Sequence, residues 1–125
     1  MNRLKWLTMA ALPLLALAYT AFAQGITLRF FNDTSRNLRV TAYDLSLQPP
    51  QPIISAQTIN GFSSITLPVA VNESGHAHIR WTATTMDQDT PRCSHRENAD
   101  LSDGDTIHVF ANEACGAGGS AGAGP

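Results

Sequence analysis

Ile53-Ile54-Ser55-Ala56-Gln57-Thr58-Ile59-Asn60-Gly61-Phe62-Ser63-Ser64-Ile65-Thr66-Leu67-Pro68-Val69 carries the pattern on which the fold turns. Two runs of β-branched and apolar residues alternate with polar ones. Between them lies Asn60-Gly61, the dipeptide favoured where both central residues of a tight hairpin need positive φ. Pairing Ile59 with Phe62 across that turn sets Ala56 against Ile65 and Ile54 against Leu67. One face is then apolar throughout, as a buried sheet surface requires.

The same reasoning extends in both directions. Downstream, Glu73-Ser74-Gly75 puts glycine where a three-residue hairpin wants its left-handed residue, and it sets Val69 opposite Ile79, Leu67 opposite Trp81 and Ile65 opposite Ala83. Upstream, the turn from Asn32 to Arg36 sets Phe30 against Leu38, Leu28 against Val40 and Ile26 against Ala42. A last strand, Thr106 to Ala111, follows the tight turn Leu101-x-Asp103-Gly104-Asp105 and carries Ile107, Val109 and Ala111 on one side. Gln48-Pro49-Pro50-Gln51-Pro52 reads as an extended loop leading into a strand, and Asp87 to Asn98 as an irregular segment.

No stretch of this body has an apolar stripe at helical spacing, so the second layer that one-sided strands need is another sheet. The expected fold is all-β, a small antiparallel β-sandwich of about six to seven strands, immunoglobulin-like or related, with a closed barrel as the alternative. The Leu101-x-x-Gly104-Asp105 run before a strand resembles a feature of many immunoglobulin-like sandwiches. The likeness spans five residues and implies nothing about activity.

The ends of the chain say where it works. Arg3 and Lys5 precede an almost unbroken apolar run from Trp6 to Ala18, and Ala21-Phe22-Ala23 supplies the small-x-small pattern of a signal-peptidase site. Residues 1–23 therefore read as a signal peptide cleaved before Gln24, with a periplasmic or extracellular destination and no stable membrane span after cleavage. Pro13, Thr8, Tyr19 and Thr20 weaken the rival reading of an anchor. Residues 24–115 read as the sandwich domain, and 116–125, which contain only Gly, Ala, Ser and Pro, as a disordered tail. Cys93 and Cys115, the two cysteines, are expected to form one disulfide in an oxidising compartment.

Charge narrows the partners. Of eight cationic residues, Arg3 and Lys5 leave with the leader, so six arginines face ten carboxylates and 6 − 10 gives −4. An acidic domain without a basic run is a poor partner for nucleic acid or an anionic membrane.

The outward row of the same strands carries the candidate chemistry. In the hairpin registers Arg29 opposes Arg39, a repulsive pairing that suits a bidentate carboxylate, phosphate or acidic surface. His78 and Arg80 extend that candidate binding face. His76 and His78, alternate on a strand, stand about 7 Å apart on one side. If the strand of His108 were adjacent, the three imidazoles would form a copper or zinc site. Asp87 with Asp89, and Asp100 with Asp103 and Asp105, are read as loop and turn residues. No nucleophile elbow, zinc-protease helix, P-loop or dinucleotide fingerprint occurs, and no cofactor is implied.

Two glycosylation sequons, Asn32-Asp33-Thr34 and Asn72-Glu73-Ser74, fall in predicted turns. The function expected is non-enzymatic binding of a protein or polymer surface by an exported sandwich. A periplasmic copper or zinc binder, and an inhibitor or immunity-type protein, are the alternatives.

Overall fold

A computed structural model describes residues 25–116. The leader and residues 117–125 of the tail lie outside the described residues. Strands follow from the alternation: β1 (Ile26–Asn32), β2 (Leu38–Asp44), β3 (Gln51–Ile59), β4 (Ser64–Val69), β5 (Ala77–Thr85), β6 (Arg92–Leu101), β7 (Thr106–Val109) and β8 (Glu113–Ala114). The period is clearest in β5, where every second residue from Ala77 to Thr85 is buried.

These strands form two sheets, one ordered β4-β1-β7 and the other β3-β2-β5-β6-β8. The protein is an all-β sandwich with the Cys93–Cys115 disulfide, as the residue pattern implied. The described residues form eight strands, and β1 with β7 is a parallel pair among otherwise antiparallel ones. Among the described residues no helix is long and apolar enough to cross a membrane.

The expected hairpins are corrected by the topology. β1 pairs with β4 and β7, whereas β2 pairs with β3 and β5. Phe30 lies beside Ile65 rather than Leu38, Leu28 beside Leu67 rather than Val40, and Trp81 beside Ala42 rather than Leu67. All three predicted hairpin turns instead carry the chain from one sheet to the other. The hairpins that do form, β2–β3 and β5–β6, close through the Pro49-Pro50 loop and the Met86–Pro91 segment. The supposedly irregular Asp87–Asn98 stretch therefore contributes most of β6, and Pro52 lies in β3, an edge strand that tolerates it.

The physical reason is that alternation fixes which side chains point inward, not which strand lies alongside. A five-residue loop spans the roughly 10 Å between sheets as readily as the 4.8 Å between paired strands. The crossings are selected at their own ends. The side-chain amide of Asn32, fully buried, donates to carbonyls of Arg36, Ile59 and Asn60, so two crossings are tied to one side chain. At Asn60-Gly61 neither residue has positive φ. Gly61 is needed for another reason: a Cβ there would meet the Ser35 carbonyl oxygen at 2.5 Å.

The core is the space between the sheets. Leu28, Phe30, Ile107 and Val109 from one side meet Leu38, Val40, Ala42, Ile79, Trp81 and Ala83 from the other, all essentially without exposure. Trp81 satisfies its indole N–H on the Asn98 side-chain oxygen at 2.9 Å and packs edge-on to Phe110. Asp44, also buried, accepts from the Ser46 and Ala70 backbone amides, each at 2.9 Å.

Candidate functional site on the outer sheet faces

Because the two sheets back onto one core, each presents its other side to solvent. The three-stranded sheet exposes Arg29, Phe31 and His108. The five-stranded sheet exposes Arg39, Thr41, Tyr43, His78, Arg80, Thr82 and Thr84, with His95 and Glu97 from β6. Arg29 and Arg39 therefore do not face each other. Arg29 neighbours Thr66 and Thr106, and Arg39 neighbours Thr58 and Thr84. The predicted four-residue binding face is divided: Arg39, His78 and Arg80 share one surface, and Arg29 belongs to the opposite one.

On the five-stranded sheet the pairings build three rungs. Tyr43, Arg80 and Glu97 form one, Thr41, Thr82 and His95 the next, and Thr58, Arg39 and Thr84 the third. The guanidinium of Arg80 lies 5.3 Å from the centre of the Tyr43 ring. Stacking holds it in place and buries its Nε, which has no hydrogen-bond partner. Beside it, His78 Nε2 lies 2.6 Å from Glu97 Oε2, so the nearest carboxylate is occupied by the imidazole. Neither Arg80 nor Arg39 makes an ion pair among the described residues, although the domain is acidic overall. Four residues separate the first and third rungs along each strand, which places the backbone positions of Arg39 and Arg80 about 13 Å apart along the sheet.

The three-stranded sheet has its own arrangement. Arg29 Nε donates to Ser64 Oγ at 3.3 Å, and its guanidinium lies 6.0 Å from the Phe31 ring. His108 also meets that ring edge-on, and its Nδ1 lies 2.9 Å from Asp33 Oδ1. Ser64, His108 and Asp33 are the residue types of a nucleophilic triad. However, Ser64 and His108 sit on strands flanking β1, two interstrand spacings or about 9.6 Å apart, beyond hydrogen-bond reach.

The three-imidazole site is corrected by the same topology. His108 lies on β7 beside β1, in the other sheet from His78, and His76 precedes β5 with its Nδ1 3.3 Å from Ser102 Oγ. Among the described residues no group of three or more His, Cys, Asp or Glu is placed to hold a metal ion. Asp103 accepts from the Thr27 amide at 2.7 Å and Asp105 from the Ser102 amide at 2.8 Å, the turn roles expected of them. Asp87 and Asp89 line a shallow open depression with Arg36, Gln88 and Thr90. Of the sequons, Asn32 is buried with its amide nitrogen engaged, whereas Asn72 is exposed.

One carboxyl group shifts clearly. The Arg96 hydrogen bond at 2.8 Å, together with the guanidinium charge, holds Glu113 below the usual carboxylate range. Arg96 also covers the Phe110 ring at 5.0 Å, so this pair fastens β8 and the segment before it to β6.

Tyr43, His95 and Glu97 were not singled out from sequence. For Tyr43 the signal was present: it alternates with Arg39 and Thr41 and so shares their face. For His95 and Glu97 it was hidden, because their strand has a mostly polar, charged sequence without apolar alternation. No protein-family model, curated protein or solved structure matches this chain.

Proposed function

We propose that the chain is an exported, non-enzymatic binding module whose outer five-stranded face takes an extended polymer bearing spaced carboxylates. Export rests on the leader ending Ala21-Phe22-Ala23, and the disulfide suits the oxidising periplasmic or extracellular space to which it leads. Binding rests on one observation above the rest: Arg80 lies over the Tyr43 ring and, among the described residues, has no carboxylate partner, while Glu97 lies against His78. A guanidinium held in this way loses little freedom on accepting a carboxylate.

Arg39, which likewise makes no ion pair among the described residues, and the threonine and histidine rung between the two arginines extend the surface along the strands. Two arginines rooted about 13 Å apart along the sheet, separated by the threonine and histidine rung, match sparse negative charge. Nucleic acid, with a phosphate at every residue, demands a broader positive field than a domain of charge −4 offers.

The test is capture of a carboxylated polysaccharide and its neutral counterpart by the immobilised mature domain. Wild type retains the carboxylated polymer in a salt-sensitive manner. Arg39→Gln/Arg80→Gln loses that retention, whereas Arg29→Gln, on the opposite face, keeps it. Equal retention by the double variant would remove this face from consideration.

A further inference from the structure

From Leu45 to Asn72 the sequence contains no Asp, Glu, Lys, Arg or His. This interval supplies both strands on one lateral side of the sandwich, β3 and β4, each the edge of its sheet. It also contains Leu47 and Phe62, the exposed large hydrophobic residues of the described chain, with Phe62 at 63% exposure. The opposite side carries Arg92, Arg96, Glu113 and His108.

Edge strands are normally blunted by charge, proline, bulges or shortness. β7 has four residues and β8 two, and β8 is fastened by the disulfide. β3 is interrupted by a bulge at Ala56, which has φ 47°, and carries Pro52. β4 has six residues, pairs on one side only, and has Pro68 near its end as its sole device.

Which of its backbone groups are open follows from the register. Asn32 N–H donates to the Ser63 carbonyl, so the even-numbered residues of β1 bond toward β4. The Thr27 carbonyl and Arg29 N–H bond instead toward the β6–β7 turn. The partners of the odd-numbered β1 residues are Ser64, Thr66 and Pro68. These three therefore aim their backbone groups away from β1, and among the described residues nothing bonds to the N–H of Ser64 or Thr66.

We propose that a second copy of this chain occupies this edge, with β4 pairing antiparallel to its twin about a two-fold axis at Ile65. Centred there, Ser64 of each copy opposes Thr66 of the other, and the four resulting N–H to carbonyl bonds use every open donor of the edge. Ile65, only partly buried in the monomer, faces its twin in the close non-hydrogen-bonded position. Beyond the paired residues, Pro68, which has no N–H, comes to the end of the twin strand where the turn residue Phe62 lies, with its own N–H already committed to the Thr34 carbonyl. The exposed Phe62 ring thereby lies beside a proline of the second copy. β4 itself brings no ionised side chain to the contact; the one cation beside it is Arg29, whose Nε donates to Ser64 Oγ from within the same copy. The pairing extends the three-stranded sheet to six strands and leaves the arginine face free, so it stands independently of the binding function proposed above. An edge contact of this kind is at the small end of specific interfaces, about 1,000 Å² in all, and gives a concentration-dependent dimer.

Sedimentation velocity on the mature chain, across a wide concentration range and two salt concentrations, reads the outcome. A reversible dimer little affected by salt is expected. Thr66→Pro removes an open donor without touching the β1 ladder and raises the dissociation constant on the order of tenfold or more, with circular dichroism unchanged. A second pair of variants guards against misfolding. Ser64→Glu/Thr66→Glu sets like charges opposite one another and yields a monomer, whereas Ser64→Lys/Thr66→Glu sets unlike charges opposite and restores the dimer. A chain that stays monomeric throughout, a dimer indifferent to Thr66→Pro, or a monomer that accepts only a foreign strand at β4 overturns the proposal.

Discussion

The Asn32 side-chain amide donates to the Ile59 carbonyl at 2.9 Å, joining the end of β1 in one sheet to the end of β3 in the other. Its oxygen accepts from the Thr34 backbone N–H and hydroxyl, at 2.9 and 2.8 Å, so a single buried amide holds two stacked chain crossings. Asn32→Ala takes a donor from three backbone carbonyls, of which Arg36 keeps the Thr34 hydroxyl and Asn60 the Ser63 N–H. It also removes the acceptor of the Thr34 N–H and is expected to cost about 2 kcal/mol. Asn32→Asp costs more, because a carboxylate would then face those carbonyls. Urea unfolding followed by Trp81 fluorescence checks both. A loss within a few tenths of a kcal/mol would show that the crossings do not depend on this side chain.

Gly61→Ala and Gly75→Ala separate two reasons for requiring glycine. At Gly61 a Cβ would meet the Ser35 carbonyl carbon at 2.6 Å as well as its oxygen, so the crossings must part, at a cost of about 1–3 kcal/mol. Gly75 has φ 83° and open space around it, so alanine there costs only the left-handed backbone, about 1–2 kcal/mol. Amide chemical shifts make the distinction: Gly61→Ala perturbs Thr34 to Arg36, and Gly75→Ala only its own turn.

Cys93 and Cys115 close a separation of 22 residues. Replacing both with serine is expected to lower stability by about 3 kcal/mol on the chain-entropy estimate. Hydrogen exchange should accelerate first in β8 and the adjoining end of β6. Uniform acceleration across the sandwich would instead mean that β8 is integral to the core.

The Arg96–Glu113 pair carries a pH signature. The Glu113 carboxyl is depressed in the folded state by the Arg96 hydrogen bond and charge. Its stabilising contribution is therefore present above the ordinary carboxylate pKa and is lost as pH falls through the lowered folded value. Arg96→Gln should return Glu113 to the usual range in a carboxyl-detected NMR titration. An unchanged titration would mean that the pair does not form in solution.

Much of this was legible in the alternation. Leu28, Phe30, Val40, Ile79 and Trp81 were placed on the apolar side by sequence, and all are buried. The glycine of the Glu73-Ser74-Gly75 turn has the left-handed backbone expected of it. β6 was not legible because its outward and inward positions are alike polar: Ser94 is buried against Asn112, and Asn98 serves Trp81. The candidate face was only partly legible, since Arg39 and Arg80 were found and the tyrosine that orients Arg80 was not.

What the chain determined by itself was the sidedness of the strands with apolar alternation, because a period of two commits alternate side chains to opposite faces whatever lies alongside. Which strands became neighbours was decided only in three dimensions. A short turn can lead either back along its own sheet or across to the other, and the same apolar residues are buried in both cases. The choice fell to contacts between segments distant in sequence: one asparagine amide reaching three carbonyls, and one glycine admitting a neighbouring backbone. Moving Arg29 and Arg39 to opposite sides of the molecule followed from that choice.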